Sequence, residues 1–187
     1  IGAPTGKGKG VSIVIPNLLH FNGSVVCLDV AGENFRKTAV HRQKQGDKIV
    51  RFAPGDPDRS HCFNPLAVVA RLADPDDQYE ELAALADSFI TSTPGVEGWI
   101  KGCKDLFTCT GMLALERGDA TIGKIFDMLV DGSPAKFKKF AKECKYPLAK
   151  TRLKGFGREE QKRLNDYISI LNDHGLGAWS RPSVRRV

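Results

Sequence analysis

The chain has 187 residues, 41% hydrophobic and 27% charged, with a net charge of +6. This is the make-up of a soluble globular protein long enough to bury a sizeable core, as one domain or as a domain with an insertion. It excludes a spanning helix, since no apolar run approaches the ~20 residues that a bilayer requires, and no signal-peptide pattern is present.

Residues 2–10, Gly-Ala-Pro-Thr-Gly-Lys-Gly-Lys-Gly, come first. A loop that cradles phosphate needs backbone N–H groups turned inward, glycines where side chains would block the anion, and a lysine on the outer phosphates. Gly6, Gly8 and Gly10 supply open backbone, and Gly8-Lys9 stands where the Gly-Lys of G-x4-G-K-[ST] falls. Two positions depart from that pattern: Ala3 replaces the first glycine, and Gly10 replaces the hydroxyl residue that reaches Mg²⁺. A glycine-rich loop without a ligand is the alternative reading. The apolar run Val11 to Leu19 reads as the helix whose N-terminal dipole faces the phosphates.

Residues 24–30 are almost wholly apolar up to Asp29, as expected of a strand covered on both faces. Residues 33–45 read as a helix and 47–53 as a second strand, which together make a parallel βαβ unit closed by Pro54-Gly55-Asp56-Pro57. From residue 74 the pattern turns helical. Asp74-Pro75 opens a stripe of Leu82, Leu85, Ala86 and Phe89. Trp99, Cys103, Leu106, Phe107 and Leu113 form the next, ended by Gly118. Thr121 caps Ile122, Ile125, Phe126 and Leu129; Ser133-Pro134 starts Phe137, Phe140, Ala141 and Cys144; and Leu164, Tyr167, Ile168 and Leu171 close the series. Apolar stripes at this spacing pack a helical bundle. Expected, therefore, is an α/β domain (residues 1–73 and 177–187) carrying an all-α insertion over 74–176.

Cys27, Cys62, Cys103, Cys109 and Cys144 are an odd five without paired short spacing, which favours reduced thiols over a disulfide framework or zinc site. Cys27 is expected inside an apolar strand, and Cys103 and Cys144 on apolar helix faces. Charge is uneven: residues 71–97 carry a net of −6 and residues 133–163 a net of +8. Either these are solvated helix faces or they form a docking surface with two poles, in which Lys136, Lys138 and Lys139 are the cargo-docking candidates. The overall basic balance, with pI near 9.1, suits nucleic acid, anionic lipid or nucleotides.

The block from the loop through Ile15-Pro16-Asn17-Leu18-Leu19 to Leu28-Asp29-Val30-Ala31-Gly32-Glu33 resembles the type IV secretion coupling proteins, the TraG-like ATPases of conjugation and effector export. Phe52-Ala53-Pro54, Cys62-Phe63-Asn64-Pro65-Leu66 and the Trp179-x-x-Pro182-x-Val184 ending extend the likeness. A final glycine after Gly-Lys is normal in that family, whereas Ala31 stands where a lysine is usual. The resemblance implies a RecA-like P-loop NTPase domain, present in part, with an inserted all-α domain that recognises cargo. The parent would be a hexamer at the cytoplasmic face of the bacterial inner membrane. It would use ATP and Mg²⁺ to feed relaxase–DNA complexes or effector proteins into the channel, alongside other secretion-system ATPases and in contact with DNA.

The nucleotide-binding candidates are Thr5, Gly6, Lys7, Gly8, Lys9, Gly10 and Val11, with Lys9 on the β and γ phosphates. Asp29 and Glu33 are candidates to line the site. Asp29 has the form of a Walker B carboxylate, but Val30 follows it where a RecA-like ATPase has glutamate. No catalytic residue is assigned, and binding is a better expectation than turnover. His20, His41, His61 and His174 show no metal spacing. The start at Ile1 and the lack of a second Asp-Glu strand end read as a fragment. Two other readings stay open: a small-molecule P-loop kinase with a helical lid, and a protein-docking adaptor whose loop is inert.

Overall fold

The computed structural model describes residues 8–186, and the chain falls into two compact units, residues 1–51 and residues 52–187. In the first, a π-helical turn over Gly10–Val14 runs directly into helix α1 (Ile15–His20); Pro16 lies inside that run and has no N–H to give to the preceding turn. Helix α2 (Glu33–Lys44) follows an extended segment and starts after Gly32, whose φ of +67° a residue with a Cβ rarely adopts.

The second unit is helical. A short helix α3 (Leu66–Val69) leads into α4 (Pro75–Phe89), α5 (Glu97–Glu116), α6 (Ile122–Val130), α7 (Pro134–Glu143), α8 (Pro147–Phe156), α9 (Gln161–Leu171) and a final turn α10 (Pro182–Arg185). Side-chain caps fix the starts of α4, α6 and α7. Asp74 Oδ1 accepts from Asp76 N–H at 2.9 Å, Thr121 Oγ1 from Lys124 N–H at 3.0 Å, and Ser133 Oγ from Lys136 N–H at 3.2 Å.

Helix α5 is the axis of this unit. Every residue from Leu106 to Ala114 is buried, so the helix has no solvent face there and packs against α4, α6, α7, α8 and α9. Phe107 and Phe137 are fully buried, each contributing roughly 1.5–3 kcal/mol by leaving water. Two glycines permit close approach. A Cβ on Gly102 would stand 2.3 Å from Tyr167 Cε1, and one on Gly132 would stand 2.4 Å from Ile168 Cδ1. Leu66 and Val69 are buried in the same core, so the expected boundary at residue 74 falls inside this unit.

The α/β expectation is overturned. Among the described residues there is no strand. Residues 24–30 and 47–53, read as a RecA-like βαβ unit, are without regular structure apart from a turn at Val30, and Val26, Leu28 and Val30 are 104%, 91% and 93% exposed. An apolar, β-rich sequence fits a pleated surface, but a strand exists only where a neighbour supplies N–H and C=O partners. No described segment does so here. No described helix is long and apolar enough to cross a membrane.

Candidate functional site

The glycine–lysine loop enters the described structure at Gly8. Its φ is +78°, the left-handed region where glycine carries no Cβ penalty. Lys9 is already helical, at φ −49° and ψ −43°, and Ser12 N–H donates to Gly8 O at 2.9 Å. Gly10 and Val11 therefore sit in the first turn of a helical run that continues to His20, where backbone amides have no acceptor within their own helix. A Cβ at Gly10 would meet nothing within 4 Å, and Val11 is 64% exposed. Such a helix start suits an anion. Thr5, Gly6 and Lys7 lie outside the described residues.

Asp29 and Glu33 meet at the N-terminus of α2. Asp29 Oδ2 accepts from Phe35 N–H at 2.8 Å, which makes the carboxylate a cap on that helix. Glu33 accepts from Lys37 Nζ at 2.6 Å, and this hydrogen bond and the ammonium charge hold its carboxyl below the ordinary range. Each has a local structural task. Among the described residues no group of three or more His, Cys, Asp or Glu is placed to hold a metal ion.

Sequence reading passed over Arg42. Its guanidinium donates from Nη1 to Leu18 O at 3.3 Å and to Phe21 O, and from Nη2 to Gly23 O at 2.7 Å. Its Nε stands 2.6 Å from Asp47 Oδ2, and the neighbouring His41 Nε2 reaches Leu19 O at 3.2 Å. The available signal was an arginine in the last turn of a helix with an aspartate five residues on.

In the helical unit the basic pole is carried by α7, α8 and the first turn of α9. Lys138 and Lys139 are exposed, and Lys139 reaches only a long 3.9 Å pairing with Glu143. Lys136 is half-buried with its ammonium 5.9 Å from the Phe140 ring centroid, so it serves packing as well as charge. The acidic pole on α4 is partly neutralised by Lys104 on Asp87 at 2.7 Å, beside a cleft of about 400 Å³ lined by Tyr79, Ala83, Ile100 and Thr108. Cys103, Cys109 and Cys144 are buried, and burial pushes their thiols up to about 11, 12 and 11. Cys27 and Cys62 are exposed, so the expected burial of Cys27 in a strand does not hold.

The chain belongs to the type IV secretory system conjugative DNA transfer family, whose model matches residues 1–186. It is 40% identical to the protein VirD4 of Agrobacterium fabrum (strain C58 / ATCC 33970) and to VirD4 of Rhizobium rhizogenes, in each case over 98% of this chain and 28% of the relative. It is also similar to the conjugal transfer protein TraG of Escherichia coli, 46% identical over 34% of this chain and 10% of the relative. The chain thus spans little more than a quarter of the length of the VirD4 relatives. No solved structure matches it.

Proposed function

We propose that this chain is the nucleotide-binding and cargo-docking part of a type IV secretion coupling protein. In this reading Thr5, Gly6, Lys7, Gly8, Lys9, Gly10 and Val11 hold the phosphates of ATP, with backbone amides around the charge and Lys9 on the outer oxygens. The observation that carries it is the left-handed Gly8 followed by Lys9 and Gly10 at the opening of a helix, in a chain of this family. Asp29 and Glu33 line the site through α2, and Mg²⁺ is held by phosphate oxygens and water. The role of these residues is binding; turnover belongs to the whole protein.

That whole protein is a hexamer at the cytoplasmic face of the inner membrane, working with other secretion-system ATPases. Its cargo is a relaxase–DNA complex or a secreted effector, docked on the charged helical unit. Support for this part comes from family membership and from the two charged poles. The test is calorimetric titration of ATP into the wild-type chain and Lys9→Ala. Losing one charge-assisted phosphate contact is expected to weaken affinity roughly 10- to 150-fold. Equal affinity in the two proteins overturns the assignment.

A further inference from the structure

In the first unit the described residues that are buried are Thr38 and Arg42, and no residue from Gly10 to His20 is buried. The apolar side chains of the run, among them Ile15, Leu18 and Leu19, are only partly buried, and side-chain hydrogen bonds from α2 tie it down. Arg42, 8% exposed, supplies most of them. Its Nη1 and Nη2 reach the carbonyls of Leu18, Phe21 and Gly23, where α1 ends, while Asp47 Oδ2 holds Nε at 2.6 Å. Carbonyls in the last turn of a helix have no acceptor duty within it, and a cation there complements the dipole. A guanidinium can satisfy several at once because its five donors lie in one rigid plane, which an ammonium cannot reproduce.

We propose that Arg42 is a positioning residue for the Gly8–Val11 loop, fixing the far end of the helical run whose first turn contains that loop. The inference rests on the nucleotide reading above. From Gly10 to His20 the run is a rod of roughly 16 Å, so a tilt of about 10° at the clamped end moves the opposite amides by roughly 3 Å. A displacement of that size takes N–H groups out of hydrogen-bond reach of a phosphate oxygen. Asp47 belongs to the same device, because it keeps the guanidinium facing the carbonyls. Without that carboxylate the guanidinium would be a buried charge with no counter-charge.

The experiment titrates ADP into the full chain as wild type, Lys9→Ala, Arg42→Lys and Arg42→Met, and measures hydrogen exchange on each without nucleotide. Arg42→Met is expected to weaken ADP binding by about tenfold or more, with binding stoichiometry kept at the wild-type value and Arg42→Lys between the two. Exchange over residues 12–20 should quicken about tenfold while Glu97–Glu116 stays protected. Wild-type affinity in Arg42→Met, or a reduced stoichiometry with unchanged affinity in the remaining fraction, overturns the proposal; the second result would make Arg42 a folding residue only. If the wild type binds no ADP, the nucleotide reading fails, and exchange decides the clamp by itself. Unchanged protection of residues 12–20 in Arg42→Met then overturns it.

Discussion

The side-chain amide of Asn64 donates to the carbonyl of Ala120 at 2.8 Å, across 56 residues of sequence, while its Oδ1 accepts from the N–H of Leu66 at 3.1 Å. One residue thus starts α3 and ties that start to the loop between α5 and α6. Leu66 and Val69, on α3 itself, are 0% and 5% exposed in the helical core. The Asn-Pro-Leu turn is a docking element for the bundle.

Replacing Asn64 by Leu removes both bonds and leaves a partly buried carbonyl without its donor. The expected loss is roughly 1–3 kcal/mol, or a fall in thermal midpoint of about 2–12 °C for a domain of this size. Asn64→Asp keeps the acceptor for Leu66 N–H but sets a carboxylate against the Ala120 carbonyl, and should be at least as damaging. Differential scanning calorimetry of the three proteins checks this; a midpoint unchanged in both variants would mean that the turn docks through Leu66 alone.

The thiols give a second prediction. Cys103, Cys109 and Cys144 have ordinary values of 9.0, and burial is the first cause of their rise, to about 11, 12 and 11. Because the folded values lie above the unfolded ones, the native state binds more protons than the unfolded state in between. The associated stability is complete below about pH 9 and is lost as pH climbs through 11 to 12. The Tyr146 phenol follows the same sign, raised to about 12 chiefly by donating to Asp76 Oδ1 at 2.6 Å. The thermal midpoint should therefore hold steady to about pH 9 and then fall. With Ellman's reagent at pH 8, Cys27 and Cys62 should react in the native chain and the other three only after denaturation. Rapid reaction of all five without denaturant would contradict the burial.

Much of the helical unit was legible in the sequence because its signals are local. Asp74-Pro75, Thr121 and Ser133-Pro134 are caps, and a cap acts within one turn of itself. Helix α8 was missed because only Ala149 and Leu153 are buried in it, too few to make a stripe among its cations. The two strands expected at 24–30 and 47–53 failed for the opposite reason. Val25, Val26 and Leu28 carry β-propensity, yet pairing depends on another segment that propensity cannot supply. Of the loop, Gly8 takes the left-handed state that its letter suggests, while Thr5, Gly6 and Lys7 lie outside the described residues. The Arg42 clamp was not legible, since it joins residues 19 to 24 positions apart that no periodicity links.

Two glycines should respond to alanine in opposite directions. At Gly102 a Cβ would lie 2.3 Å from Tyr167 Cε1 and 2.8 Å from its Cζ, and that ring is itself held edge-on to Trp99 at 5.0 Å between centroids. Overpacking of about 1–3 kcal/mol outweighs the gain of up to ~1 kcal/mol in helix propensity. At Gly155, in α8, a Cβ would meet nothing within 4 Å, so only the propensity gain remains. Urea midpoints should fall for Gly102→Ala and rise for Gly155→Ala. A rise for Gly102→Ala would show that the Tyr167 ring moves aside freely.

The basic pole supplies the last prediction, which the structure refines. Lys136 lies partly over Phe140, so reversing it would disturb packing as well as charge. Lys138, Lys139 and Lys142 are exposed on α7 and are the cleaner set. If the helical unit docks an anionic cargo through this face, Lys138→Glu, Lys139→Glu and Lys142→Glu together should weaken binding of a labelled single-stranded oligonucleotide without altering far-UV circular dichroism. Three lost phosphate contacts should also flatten the dependence of log affinity on log salt by roughly 2, because each contact releases about 0.7 of a counterion from a single strand. Fluorescence anisotropy between low and physiological salt measures both quantities. Equal affinity and equal salt slope in the two proteins would reduce the basic pole to a solvated helix face, and would move the search for cargo contacts to the acidic side of α4.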